Sequence, residues 1–210
     1  MEPSFLRLAD LQVPNSDEDG ELALQCHLLT HARLLSSIRD SEEQSPIFHY
    51  RNVCFWRDLP SSLRSLESEI VRTEILRLSC RAMIQILPLE SIPGLNSNNV
   101  LQDIKQDIRS SCLQMVDQFY HQMDHSPAAT FVDAYDILAA GVAILYCTSE
   151  DLPQTTDHPT AISKCASLLT AIGDRFPGLK SFRRVLVELS TSFRHGDFTV
   201  SIRMRGNELS

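Results

Sequence analysis

Glycine is scarce in this chain, seven residues in 210, and no stretch alternates apolar and polar residues over a strand's length. Both shortages argue against a β architecture, which needs period-two patterning and turn residues at short intervals. Bases are outnumbered, 19 Lys and Arg against 27 Asp and Glu, for a net charge of -8. That balance excludes a general nucleic-acid binder, which must neutralise phosphates with a basic face. Close cysteine pairs are absent. The six cysteines, Cys26, Cys54, Cys80, Cys112, Cys147 and Cys165, come no nearer than 18 residues apart and include no C-x-x-C, which rules out a compact multi-thiolate zinc module. Dispersed cysteines fit a reducing compartment. Long apolar runs are missing too: the longest, Ile137 to Cys147, has 11 residues, short of the roughly 20 that span a bilayer. The N-terminus has an acid at Glu2 and no apolar core of signal-peptide length, so the expectation is the cell interior. No nucleophile elbow, phosphate loop or ordered triad occurs, and no catalytic or cofactor-binding residue is assigned.

What is present is helical periodicity. Hydrophobic residues make up 43% and charged residues 22% of the chain, ordinary values for a globular protein with one good-sized core. The spacing predicts a helix over Glu21–Ile38, carrying Leu22, Leu24, Cys26, Leu28, Leu29, Ala32, Leu35 and Ile38, and a second near Ile47–Arg57. A third runs from Leu63 to Leu87 with Leu66, Ile70, Val71, Ile75, Leu78, Ala82 and Ile86 near one face. The fourth has the cleanest stripe, with Leu101, Ile104, Ile108, Cys112, Met115, Phe119 and Met123 at intervals of three and four. Phe131–Cys147 is apolar nearly all the way round, which predicts a central helix covered on all sides. The stretch Ala161–Arg194 reads as two amphipathic helices separated at Gly173 and Pro177, the last carrying Leu179, Phe182, Val185, Leu186, Leu189 and Phe193. The expected fold is all-α, a single bundle-like domain of about seven helices over residues 21–194. An irregular acidic segment, 1–20, precedes it, and a frayed tail, 195–210, follows. Pro88, Pro93 and Gly94 make the loop between the third and fourth helices the least helical stretch of the middle.

Charge is uneven along the chain. Residues 1–45 carry nine acids against Arg7, Arg33 and Arg39, whereas residues 175–205 carry seven bases against Glu188 and Asp197. The basic end reads first as a solvated helix face, with a docking surface or a nuclear-import patch as the sharper alternatives. Asn15-Ser16-Asp17-Glu18-Asp19-Gly20 has the start of a calcium-binding loop, but the twelfth position, which needs a bidentate Glu, is Cys26; an acidic helix start explains the same residues. Two histidine pairs at helical spacing, His27/His31 and His121/His125, could together grip a metal ion. They are read first as surface or helix-end residues, because neither sits in an H-E-x-x-H sequence. Trp56, the only tryptophan, is read as a core residue rather than a ligand anchor.

Several motifs occur in a telling order. Phe55-Trp56-Arg57-Asp58-Leu59-Pro60 with Leu63 comes first. Gly141 to Tyr146 and Pro153 follow; next come Cys165, Leu168, Leu169, Ile172, Arg175, Phe176 and Pro177, and then Phe182, Arg183, Val185 and Leu189. From about Ile47 to Arg194 this arrangement resembles the C-terminal part of the regulatory domain of fungal binuclear zinc-cluster transcription factors, without their DNA-binding module. The resemblance implies a non-enzymatic transcription regulator in the nucleus, with the cytoplasm as the second location. Its partners would be proteins, transcription factors or coregulators, together with a small-molecule effector, and it would not contact DNA directly. Control of a secondary-metabolism gene cluster is among the roles such domains take. The alternatives are a small all-helical metal protein or enzyme built on His27, His31, His121 and His125, and a helical adaptor unrelated to transcription. The adaptor is favoured if Phe55–Pro60 and Cys165–Pro177 pack in different subdomains.

Overall fold

A computed structural model describes residues 17–40, 46–87, 98–125, 129–148 and 157–194. Among them the structure is all-α: α1 Asp17–Asp40, α2 Pro46–Arg57, α3 Glu69–Gln85, α4 Asn98–His125, α5 Phe131–Cys147, α6 Asp157–Arg175 and α7 Lys180–Arg194. Two short 3-10 helices, Ser61–Leu66 and Pro177–Leu179, lead into α3 and α7. The helices fall into two compact units that divide between Ile92 and Pro93, in the stretch where the helical pattern is most interrupted.

In the N-terminal unit α1, α2 and α3 pack pairwise, and the first 3-10 helix lies against α1. Leu24, Leu59, Leu63 and Ile75 form the centre, with Ala23, Leu28, Leu66 and Val71 packed around them. The helix expected from Leu63 to Leu87 is in fact two elements. Ser68 ends the 3-10 turn with extended backbone, and its hydroxyl accepts a 3.2 Å hydrogen bond from the Val71 amide, which starts α3. A serine hydroxyl satisfies one of the orphan first-turn amides, so it defines a new N-terminus inside an otherwise continuous apolar pattern. Ile70, expected on the buried stripe, consequently lies exposed in the first turn. The expected irregular segment 1–20 is helical from Asp17; residues 1–16 and the tail 195–210 lie outside the described residues.

The C-terminal unit holds α5 among α4, α6 and α7. Thr130 and Asp133 close a capping box at its start: the Thr130 amide donates to Asp133 Oδ2 at 2.6 Å, and the Asp133 amide donates to Thr130 Oγ1 at 3.4 Å. Below the cap Ala134, Ile137, Ala140, Ala143, Ile144, Leu145 and Cys147 are all buried. Gly141 marks the tightest approach. A Cβ there would stand 2.8 Å from Leu186 Cδ1 of α7 and 3.6 Å from Cys165 Sγ of α6, so the missing side chain is what lets α7 seat against α5. The sequence reading placed α5 under cover on every side. The structure covers three sides and leaves Phe131, Val132 and Tyr135 about half exposed. Gly173 does not break the next helix either, since α6 runs through it to Arg175. A Cβ at Gly173 would meet Lys180 Cγ at 3.4 Å, an ordinary van der Waals contact, so the approach of α7 leaves room for a small side chain there. Pro177 makes the break, opening the 3-10 turn that α7 continues.

Candidate functional site: a histidine clasp in the N-terminal unit

On α1 the residues Leu24, His27, His31 and Leu34 recur at intervals of three and four and are all buried. One helix face therefore carries two imidazoles into the core, 1% and 0% exposed. This corrects the reading of His27/His31 as surface residues. The sequence reading counted Leu22 and Leu29 among the apolar positions of this helix, yet they are 60% and 62% exposed. The legible signal was the phase: leucines at 24 and 34 fix a stripe that passes through both histidines, and leucines at 22 and 29 do not.

Each histidine ties α1 to a different element. His27 Nε2 lies 3.0 Å from the Trp56 carbonyl oxygen, in the last turn of α2. A carbonyl only accepts, so Nε2 carries the hydrogen and Nδ1 is a bare lone pair. The His27 ring also packs on the Trp56 indole, centroids 5.2 Å apart. His31 Nε2 lies 3.3 Å from Ser79 Oγ of α3. Both Nδ1 atoms are buried without a hydrogen-bond partner. Burial holds the His31 imidazole down to about pKa 4, with repulsion from His27 as the smaller cause. Burial also lowers His27, against a smaller opposing effect from the Trp56 carbonyl. His49, the third buried histidine, is lowered by burial as well.

Trp56 is buried, as expected of a core residue, with Leu59 and Leu63 of the same motif, whereas its neighbour Phe55 is exposed. His121 is exposed on α4, and His125 is the last residue of that helix. The two histidine pairs belong to different units, and among the described residues no three His, Cys, Asp or Glu side chains converge to hold a metal ion. From Asp17 onward the suspected calcium loop is helical, a backbone that cannot wrap ligands around one ion. None of the six cysteines is in a disulfide: Cys26 and Cys54 are half-buried and the other four buried. The Cys165 thiol is pushed up to about 12 by burial and, less, by Cys112, which keeps it un-ionised and unreactive. On α7 Arg184 pairs loosely with Glu188 at 3.8 Å, both well exposed, as a solvated face would be.

An open cleft of about 370 Å³ lies where α2, the first 3-10 helix and α3 meet. Arg57, Arg64 and Arg72 face Asp58 and Glu67 across it, and Arg72 is already held by Glu67 at 3.1 Å. These near-balanced charges select no ligand by sign. No family model, no curated protein and no solved structure matches this chain.

Proposed function

We propose that the chain is an α-helical regulatory module of the fungal zinc-cluster transcription factor type, non-enzymatic and working through protein contacts in the nucleus. Control of a gene cluster such as one for secondary metabolism, with a small-molecule effector as a second input, belongs to the same reading. The observation that carries it is how the motif residues meet inside the C-terminal unit. A Cβ on Gly141 would fall 2.8 Å from Leu186 Cδ1 and 3.6 Å from Cys165 Sγ, while Leu168, Leu169 and Ile172 are buried on α6. That helix ends at Arg175, immediately before Phe176-Pro177. The half-exposed Phe131 and Tyr135 stack edge-on with each other, and Tyr135 with Phe182, at centroid distances of 4.9 and 4.8 Å. An uncharged aromatic ridge of this kind is what a protein partner buries.

A helical adaptor unrelated to transcription is the second reading. It is favoured by the placement of Phe55–Pro60 in the N-terminal unit and Cys165–Pro177 in the C-terminal unit. A pull-down of the tagged chain from its native cells, with bound proteins and DNA both identified, separates the two. Recovery of a zinc-cluster factor or its promoter DNA by the wild type, and its loss with Tyr135→Glu, is the outcome expected. Recovery of neither, with a non-transcriptional scaffold bound instead, overturns the regulator reading in favour of the adaptor.

A further inference from the structure

The interior of the N-terminal unit has an unusual polar content. Among the described residues its buried polar side chains are His27, His31, His49 and Ser79, with no buried carboxylate beside them. His27 and His31 thus share one small core in which, among the described residues, no carboxylate is buried. On the faces packed against the pair, α2 presents His49, Val53 and the Trp56 ring and carbonyl, all buried. The stripe of α3 holds Ser79 and Ile75; Arg72, two turns before Ser79, is exposed and paired with Glu67. From the 3-10 helix come Leu63 and Leu66, and from α1 itself Leu24 and Leu34. Among the described residues of these faces there is no buried carboxylate to compensate a positive charge on His27 or His31.

We propose that the histidine clasp is an acid-sensitive latch: protonation of His27 and His31 opens the N-terminal unit by releasing α1 from α2 and α3. Protonation makes both nitrogens of each ring donors, and neither Nδ1 has an acceptor, so each buried cation is left with an unmet donor. Such a group is expelled to water rather than retained. Expulsion rotates the α1 stripe out of the core, and both ties are lost together, the one to the Trp56 carbonyl and the one to the Ser79 hydroxyl. The latch is independent of any transcriptional role.

The sign follows from the folded-state depression. An opened His31 titrates near 6.5 and the closed one near 4, so the open form binds more protons between those values. The closed form is fully favoured above about pH 6.5 and loses ground as pH falls toward 4. By pH 4.5 the opening equilibrium should rise by about two orders of magnitude from His31 alone.

The test is hydrogen exchange of the full chain from pH 7.5 to 4.5, corrected for intrinsic rates and read by mass spectrometry. The wild type should lose roughly 100-fold protection in 17–40 and 46–87, while 98–125 and 157–194 change little. His27→Gln/His31→Gln, which keeps a donor at each site and removes the titration, should flatten that response. Retained protection in the wild type at pH 4.5, or an equal loss in the double variant, overturns the proposal. Should the double variant fail to fold at pH 7.5, the imidazole resonances of the wild type decide. Titration of both rings near 6.5 with unchanged amide protection would sink the latch, and titration coupled to loss of protection would establish it.

Discussion

Gly141 shows how one missing methyl sets the spacing of two helices. Glycine within a helix costs about 1 kcal/mol relative to alanine, so Gly141→Ala gains that much in propensity. The same change puts a Cβ at 2.8 Å from Leu186 Cδ1, with Cδ2 at 3.3 Å, and Leu186 is fully buried. Overpacking of this kind typically costs 1 to 3 kcal/mol, so a net loss of about 1 kcal/mol is expected by chemical denaturation. Adding Leu186→Val should recover part of it, and a double-mutant cycle measures the coupling. Strict additivity would mean that the clash is relieved elsewhere. A second residue-scale expectation concerns the thiols. Brief alkylation of native protein should modify Cys26 and Cys54 ahead of Cys80, Cys112, Cys147 and Cys165, since the latter four are buried and the Cys165 thiol stays protonated. Peptide mass mapping reads the order.

At the scale of elements, helix starts carry more of the fold than the apolar stripes suggest. Ser68 separates the 3-10 turn from α3, and the Thr130–Asp133 box starts α5 where its outer face is uncovered. Thr130→Ala should lower stability by about 1 kcal/mol, seen as a reduced midpoint in the C-terminal unit. By contrast Lys164→Ala should change stability by less than about 1 kcal/mol although its ammonium sits 2.6 Å from Asp117, because Asp117 is half exposed and water screens the pair. The stripe on α4 was legible residue by residue: Ile104, Ile108, Cys112, Met115 and Phe119 are all buried. Its clean spacing of three and four leaves one phase open. The phase of α1 was less legible, because leucines at 22, 24, 28, 29 and 35 support more than one face. Packing against α2, α3 and the 3-10 helix chose the face that buries the histidines.

At the scale of the whole molecule the division between Ile92 and Pro93 makes a simple prediction. Trp56, the only tryptophan, lies in the N-terminal unit, so its fluorescence reports that unit alone, while far-ultraviolet dichroism reports helices of both. Urea unfolding at pH 7.5 and pH 5 should move the fluorescence midpoint to lower urea at the acid pH and leave a later dichroism phase in place. Coincident transitions at both pH values would show one cooperative unit instead.

The sequence alone determined that this protein is helical, where most helices lie, and that its cysteines are too far apart for a thiolate cluster. Periodicity and spacing are local properties, and each helix declares them without reference to its neighbours. Three things waited for the tertiary structure: that His27 and His31 face inward, that the outer side of α5 is uncovered at Phe131 and Tyr135, and that Gly173 continues a helix. Each depends on which neighbour approaches from which side, and a repeating pattern along one chain does not encode that direction.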